Sequence, residues 1–273
     1  MGKTFAPSIV PVIAPSTALL NGPAKIKFLV SQFLLPVVSI FFVLPLISSP
    51  AFGLSSIDFW VPQTETLAEG AVQFDILTQS SLTKSSSVSL DKQFGSDWGL
   101  SYGIYEKGPV GVEAGLDWRE PTLTDALGAI YGNLRVRALK TKEDGFSVAM
   151  GIDSLGFESG TNDLNLLYLV FQAQAGTSWQ IELGGYSANA RLLETSNADA
   201  ESKGAIFGAW HQSDSAKSKW GIEWMSGSHQ LGYLFGGLKL LLQEGLYGTI
   251  AYGLANDQAD MKNWVLLKLS VLF

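Results

Sequence analysis

The chain ends in WVLLKLSVLF, residues 264–273, and the alternation in these ten positions decides the fold. Val265, Leu267, Leu269, Val271 and the terminal Phe273 fall on one side of an extended chain; Trp264, Leu266, Lys268, Ser270 and Leu272 fall on the other. Successive side chains of a strand point to opposite faces, so this is a strand with one continuous apolar face. Its length suits a tilted crossing of a bilayer, which takes about 9–11 residues.

Upstream, the same rhythm recurs from residue 70 onward in segments of about ten residues, separated by Gly, Ser, Asn and Asp clusters. Thirteen segments can be drawn, from 70–79 to 261–273. Strands in a single-chain membrane barrel are normally even in number. Either the weak segment 88–94 belongs to a turn, giving about 12, or 57–61 adds a strand, giving about 14; we expect 12. One face collects Val110, Val112, Ala114, Leu116 and Trp118, then Leu134, Val136 and Ala138, Val148, Met150 and Ile152, Trp179, Ile181 and Leu183, and Trp220, Ile222 and Trp224. The alternate positions carry Glu113, Asp117, Arg135, Arg137, Asp153, Glu182, Glu223, Lys239 and Lys268, five acids and four bases that line the interior of a barrel. Trp98, Trp118, Trp179, Trp220, Tyr186 and Trp264 stand near segment ends, where interfacial girdles lie. Counted back from Phe273, the connections 108–109, 141–145, 175–178, 212–219 and 243–245 fall at one end, while 119–128, 155–164 and 189–204 fall at the other. Short turns face the periplasm and longer loops the exterior in such barrels. A soluble sandwich or lipocalin-like barrel would also alternate, but requires no terminal aromatic strand.

The other end reads as an export signal. Residues 1–53 hold no Asp or Glu, carry Lys3, Lys25 and Lys27, and run through an apolar stretch over 28–48 to the small residues Ala51 and Gly53. The cut is expected after Gly53, leaving 54–273 as the barrel. A retained helical anchor is the alternative, weakened by Pro36 and Pro45 inside the apolar stretch. Removing 1–53 leaves 15 basic and 25 acidic residues, a net charge of −10 that offers no footprint for nucleic acid. Cysteine is absent, which excludes disulfides, thiolate metal sites, a Cys nucleophile and an acylated lipoprotein anchor.

The export signal, the strand rhythm and the closing Val265, Leu267, Leu269, Val271 and Phe273 together resemble the porin-like superfamily of bacterial outer-membrane β-barrels. That resemblance implies an all-β, transmembrane, antiparallel up-and-down barrel of about 12 strands, within a range of 10–14, in the bacterial outer membrane. It also implies the lipid bilayer as lifelong partner and the barrel-assembly machinery as reader of the last strand during biogenesis.

The chemistry is sparse. His211-Gln212-Ser213 resembles the His-x-Ser element of outer-membrane phospholipases and lipid A deacylases, but Asp214 stands where those families carry Asn and no third member is assigned. The strand after the long loop descends, which puts His211 at the periplasmic rim, away from an outer-leaflet substrate. His229, in Ser226-Gly227-Ser228-His229, reads as a solvated loop residue. Arg135 and Arg137, beside Asn133, are expected to pair with Glu113 and Asp117 on the neighbouring strand. The loop acids Glu158, Asp163, Glu194, Asp199 and Glu201 read as solvated, and no cofactor or metal is expected. The expected function is a narrow porin-like channel for small polar solutes or ions, then a closed structural or surface-interaction barrel, then a lipid hydrolase using His211 and Ser213.

Overall fold

In a computed structural model of the chain, residues 58–81, 94–119, 130–141, 145–156, 165–188, 203–213, 215–229, 231–258 and 262–273 are described. Residues 1–53, expected to be an export signal, most of the segment 88–94 and the five loop acids lie outside them.

Twelve strands occur among the described residues, and no helix: β1 Val72–Ser81, β2 Phe94–Lys107, β3 Val110–Arg119, β4 Ile130–Lys140, β5 Ser147–Gly156, β6 Leu166–Ala175, β7 Trp179–Ala188, β8 Lys203–Gln212, β9 Ser218–Met225, β10 Tyr233–Gln243, β11 Leu246–Ala255 and β12 Trp264–Leu272. Each pairs antiparallel with its sequence neighbours, and β1 pairs with β12 to close the barrel. The seam runs from Gln73 opposite Leu272 to Ser81 opposite Trp264, and is finished by Phe273 N–H donating to the Val72 carbonyl at 2.8 Å. With no free edge, every wall strand satisfies its backbone through two neighbours, the condition for crossing hydrocarbon.

Side-chain direction follows the expected parity. Leu116, Leu134, Met150, Ile181, Leu183 and Ile222 are exposed on the outer face, while Glu113, Asp117, Arg135, Arg137, Asp153, Glu182, Glu223 and Lys268 are buried on the inner one. A contiguous exposed apolar surface of this kind is stable only against lipid. Trp98 and Trp118 meet at 6.0 Å near the loop end, and Trp179 and Trp220 meet at 5.2 Å near the turn end, so both girdles exist. Tyr186 and Trp264 do not belong to them. Tyr186 shares the inward parity of Glu182 and is buried, and the Trp264 indole turns inward to donate to Tyr233 Oη at 2.7 Å.

The connections at one end span two to six residues and those at the other seven to fourteen. Gly108, Gly145, Gly176 and Gly245 adopt positive φ in the short turns, and Ala216 does the same at φ 54°. The short-turn end is the periplasmic one for barrels of this type.

The count is the expected 12, and the alternative of about 14 falls: the stretch 57–61, weighed as an extra strand, instead enters the lumen over its described residues 58–61, and the wall begins at Val72.

Candidate functional site

Residues 58–67 fold into the barrel as a plug. Asp58, Phe59, Trp60, Val61, Gln63, Thr64 and Leu67 are all buried, and the segment returns to the short-turn mouth, where Gly70 N–H donates to the Gly103 carbonyl at 2.9 Å and β1 starts. An irregular backbone at membrane depth must find its hydrogen bonds on the wall, and the inward residues supply them. Glu223 on β9 accepts the Phe59 N–H at 3.3 Å, the Trp60 N–H, the Val61 N–H at 2.7 Å and the Trp210 indole N–H at 3.0 Å. One carboxylate thus holds three successive backbone donors of the plug, each bond strengthened by its charge.

Asp58 sits between two cations, Lys239 at 2.7 Å and Lys219 in direct contact. Burial pushes its carboxyl up, but Lys219 and Lys239 outweigh that and hold it well below the usual carboxylate range. Trp60 stacks on Phe235 at 4.8 Å, meets Tyr233 edge-on at 5.7 Å and donates its indole N–H to the Leu231 carbonyl at 3.1 Å. Further along, Thr64 Oγ1 lies 2.6 Å from Ser147 Oγ and donates to Gln172 Oε1 at 2.9 Å, and Leu67 N–H donates to Glu113 at 2.9 Å. Wall glycines give the plug room at its exit: a Cβ on Gly103 would stand 1.9 Å from the Ala68 carbonyl oxygen.

The arginines are organised by the plug as well. Arg135, opposite Glu113 in the β3–β4 register, donates to Tyr168 Oη at 3.1 Å and to the Glu65 carbonyl at 2.9 Å, and Asp153 contributes to its electrostatic surroundings. Arg137 does not pair with Asp117. It contacts Glu106 at 2.8 Å and Glu65 at 3.3 Å, because its register partner across β3 is Gly111. Asp117 instead accepts from Asn133 at 2.6 Å. Lys268 lies 3.5 Å from Asp75 across the barrel seam. Glu182 is fully buried opposite Gln172, approached by the Thr64 N–H without a well-formed hydrogen bond.

Above the plug, toward the loops, aromatic and aliphatic side chains fill the lumen, among them Tyr168, Tyr186, Ile206, Met225 and Leu266. His229 belongs to this layer and is not solvated. It is 1% exposed, with Nε2 2.7 Å from Tyr186 Oη and Nδ1 accepting the Leu231 N–H at 3.2 Å. Below the plug a polar cavity of about 440 Å³ opens between Gln63, Gln73, Gln180, Gln212, Lys219 and Tyr247.

The barrel is thus a lipid-facing cylinder with a charged inner wall and a chain segment seated in it. This is the fold of a closed, 12-strand outer-membrane β-barrel. A solved structure described as the KdgM porin is similar, with 10% sequence identity and a TM-score of 0.50 over 74% of this chain and 99% of that one. The COG4313 outer membrane channel from Pseudomonas putida F1 aligns with 12% identity and a TM-score of 0.46 over 77% of this chain and 98% of that one. At these identities the likeness is one of fold. No protein-family model matches the sequence, and no curated protein matches it.

His211 and Ser213 are not brought together. The imidazole is stacked on Trp220 at 5.3 Å and meets Trp179 edge-on at 5.1 Å on the outer face, while Ser213 Oγ contacts Ser215 Oγ at 3.3 Å and accepts the Ser218 N–H at 3.2 Å within its turn. A serine hydrolase needs a hydrogen bond between base and nucleophile, and none joins this pair. Among the plug-binding or plug residues that escaped the sequence reading are Asp58, Trp60, Glu65 and Lys219. Lys219 stands one position ahead of the strand start expected at Trp220, with the inward parity of Glu223, and an extra residue on that segment exposes it.

Proposed function

We propose that the protein is a porin-like outer-membrane channel for small polar solutes or ions, with residues 58–67 as a plug that closes it in the described conformation. The observation that carries this reading is the match between a charged inner wall and a non-covalently held segment. Glu223, Lys219, Lys239, Glu113 and Arg137 all face the lumen, and every one of them binds the plug. The 440 Å³ cavity at the periplasmic mouth already provides a polar antechamber. The export signal over 1–53 and recognition of the Phe273 strand by the assembly machinery are part of the same proposal.

Planar-bilayer recording on the refolded protein tests it. The wild type should show rare openings, and Asp58→Ala combined with Trp60→Ala should conduct steadily with ionic current that scales with salt. Silence from both proteins would favour the second reading, a permanently closed barrel acting through its loops, which the apolar filling around Trp210 and Phe235 supports.

A further inference from the structure

The wall around residues 58–61 offers matched polar and aromatic contacts to a short bent peptide. Three features make it so. Glu223 accepts three consecutive backbone N–H groups, which converge on it because the chain bends over residues 58–61, a set of donors that a short bent peptide supplies. Lys219 and Lys239 clasp one carboxylate. Phe235, Tyr233 and the Leu231 carbonyl form a slot for an aromatic ring that carries a donor. All of these groups belong to the wall and its adjoining loop, whereas the plug contributes only what any peptide with an acidic residue two positions before an aromatic one would bring. An anion alone would bring none of the three backbone donors that Glu223 accepts beside the Trp210 indole N–H, a costly loss in a confined lumen.

We infer that the plug occupies a solute site in cis, and that the solutes recognised there are short peptides bearing a carboxylate two residues ahead of an aromatic side chain. The inference rests on the plug leaving its seat, as the channel reading requires. When the plug is displaced, such a peptide takes its place: its carboxylate goes to the lysine pair, its N–H groups to Glu223 and its ring to Phe235.

The test uses the full chain with Asp58→Ala and Trp60→Ala, which weakens the plug and leaves the wall untouched. Fluorescein-labelled acetyl-Glu-Leu-Trp-Ala-amide is titrated against it in detergent and followed by anisotropy, with acetyl-Lys-Leu-Trp-Ala-amide and acetyl-Glu-Leu-Ala-Ala-amide as comparisons. The acidic aromatic peptide should bind at least about tenfold more tightly than either comparison and than it binds the unsubstituted protein, and adding Glu223→Gln should weaken it by about tenfold or more. Equal affinity for the three peptides, or no binding of any, overturns the inference. Should the double variant fail to fold, as judged by loss of heat-modifiable migration, Trp60→Ala alone carries the same titration. Conductance of the same variant separates the two claims: an open channel without peptide binding removes the inference and keeps the channel, and binding without conductance does the reverse.

Discussion

Asp58 is the residue at which charge decides the state of the lumen. Its carboxylate is buried between Lys219 and Lys239, and its proton affinity in the seated plug lies below that of a free side chain. A group with a depressed folded value stabilises fully above its unfolded value, about 4, and loses that contribution as pH falls further. The Asp58 contribution to plug seating should therefore weaken below about pH 4, read as a rise in open probability in bilayers. Asp58→Asn should remove this acid limb and weaken seating at pH 7 by about 3 kcal/mol, since it leaves two lysines facing each other across a confined space. Ala216 is a residue of the opposite kind, where the cost is in the backbone. At φ 54° its Cβ crowds the chain, so Ala216→Gly should stabilise the barrel by about 1 kcal/mol in urea unfolding from detergent.

At the level of elements, the plug depends on β2 as much as on its polar anchors. The Gly103 position faces the Ala68 carbonyl so closely that Gly103→Val must push the plug exit away. Backbone amides of 66–71 should then exchange at least about tenfold faster in hydrogen-exchange measurements, while those of β6 and β7 stay protected. β12 carries the other prediction. Its backbone closes the seam, whereas the Phe273 ring is 72% exposed and packs on little. Phe273→Ala should slow assembly in vivo several-fold yet leave the melting temperature of the assembled barrel within a few degrees, and a large loss of melting temperature would show the ring to be structural.

The wall elements were legible because parity is local. In β3, Glu113 and Asp117 alternate with Val112, Ala114 and Leu116, and period two on a closed sheet leaves one assignment of faces. Tyr186 and Trp264 went astray for a related reason: position near a segment end suggested a girdle, but side-chain direction is set by parity with Glu182 and Leu266. The plug was not legible. Ile57-Asp58-Phe59-Trp60-Val61 has the composition of a strand, and its backbone partners are side chains more than 160 positions away, above all Glu223. His229 was misread because a Ser-Gly-Ser lead-in describes a turn without saying that Leu231 and the turn itself fold inward onto Trp60.

For the whole molecule, the apolar outer belt and the plugged polar lumen make two linked statements, that the barrel sits in lipid and that residues 58–67 are seated inside it. The absence of cysteine allows the second to be measured directly. Val61→Cys introduces a single thiol at a position that is 0% exposed beneath Glu223, and Ser215→Cys places one in an exposed short turn. Reaction with a maleimide of about 5 kDa in the folded, detergent-solubilised barrel should be at least roughly a hundredfold slower at 61 than at 215, and equal after heat unfolding, because modification at 61 must await local opening. Matching rates in the folded protein would place residues 58–61 outside the lumen and contradict the account.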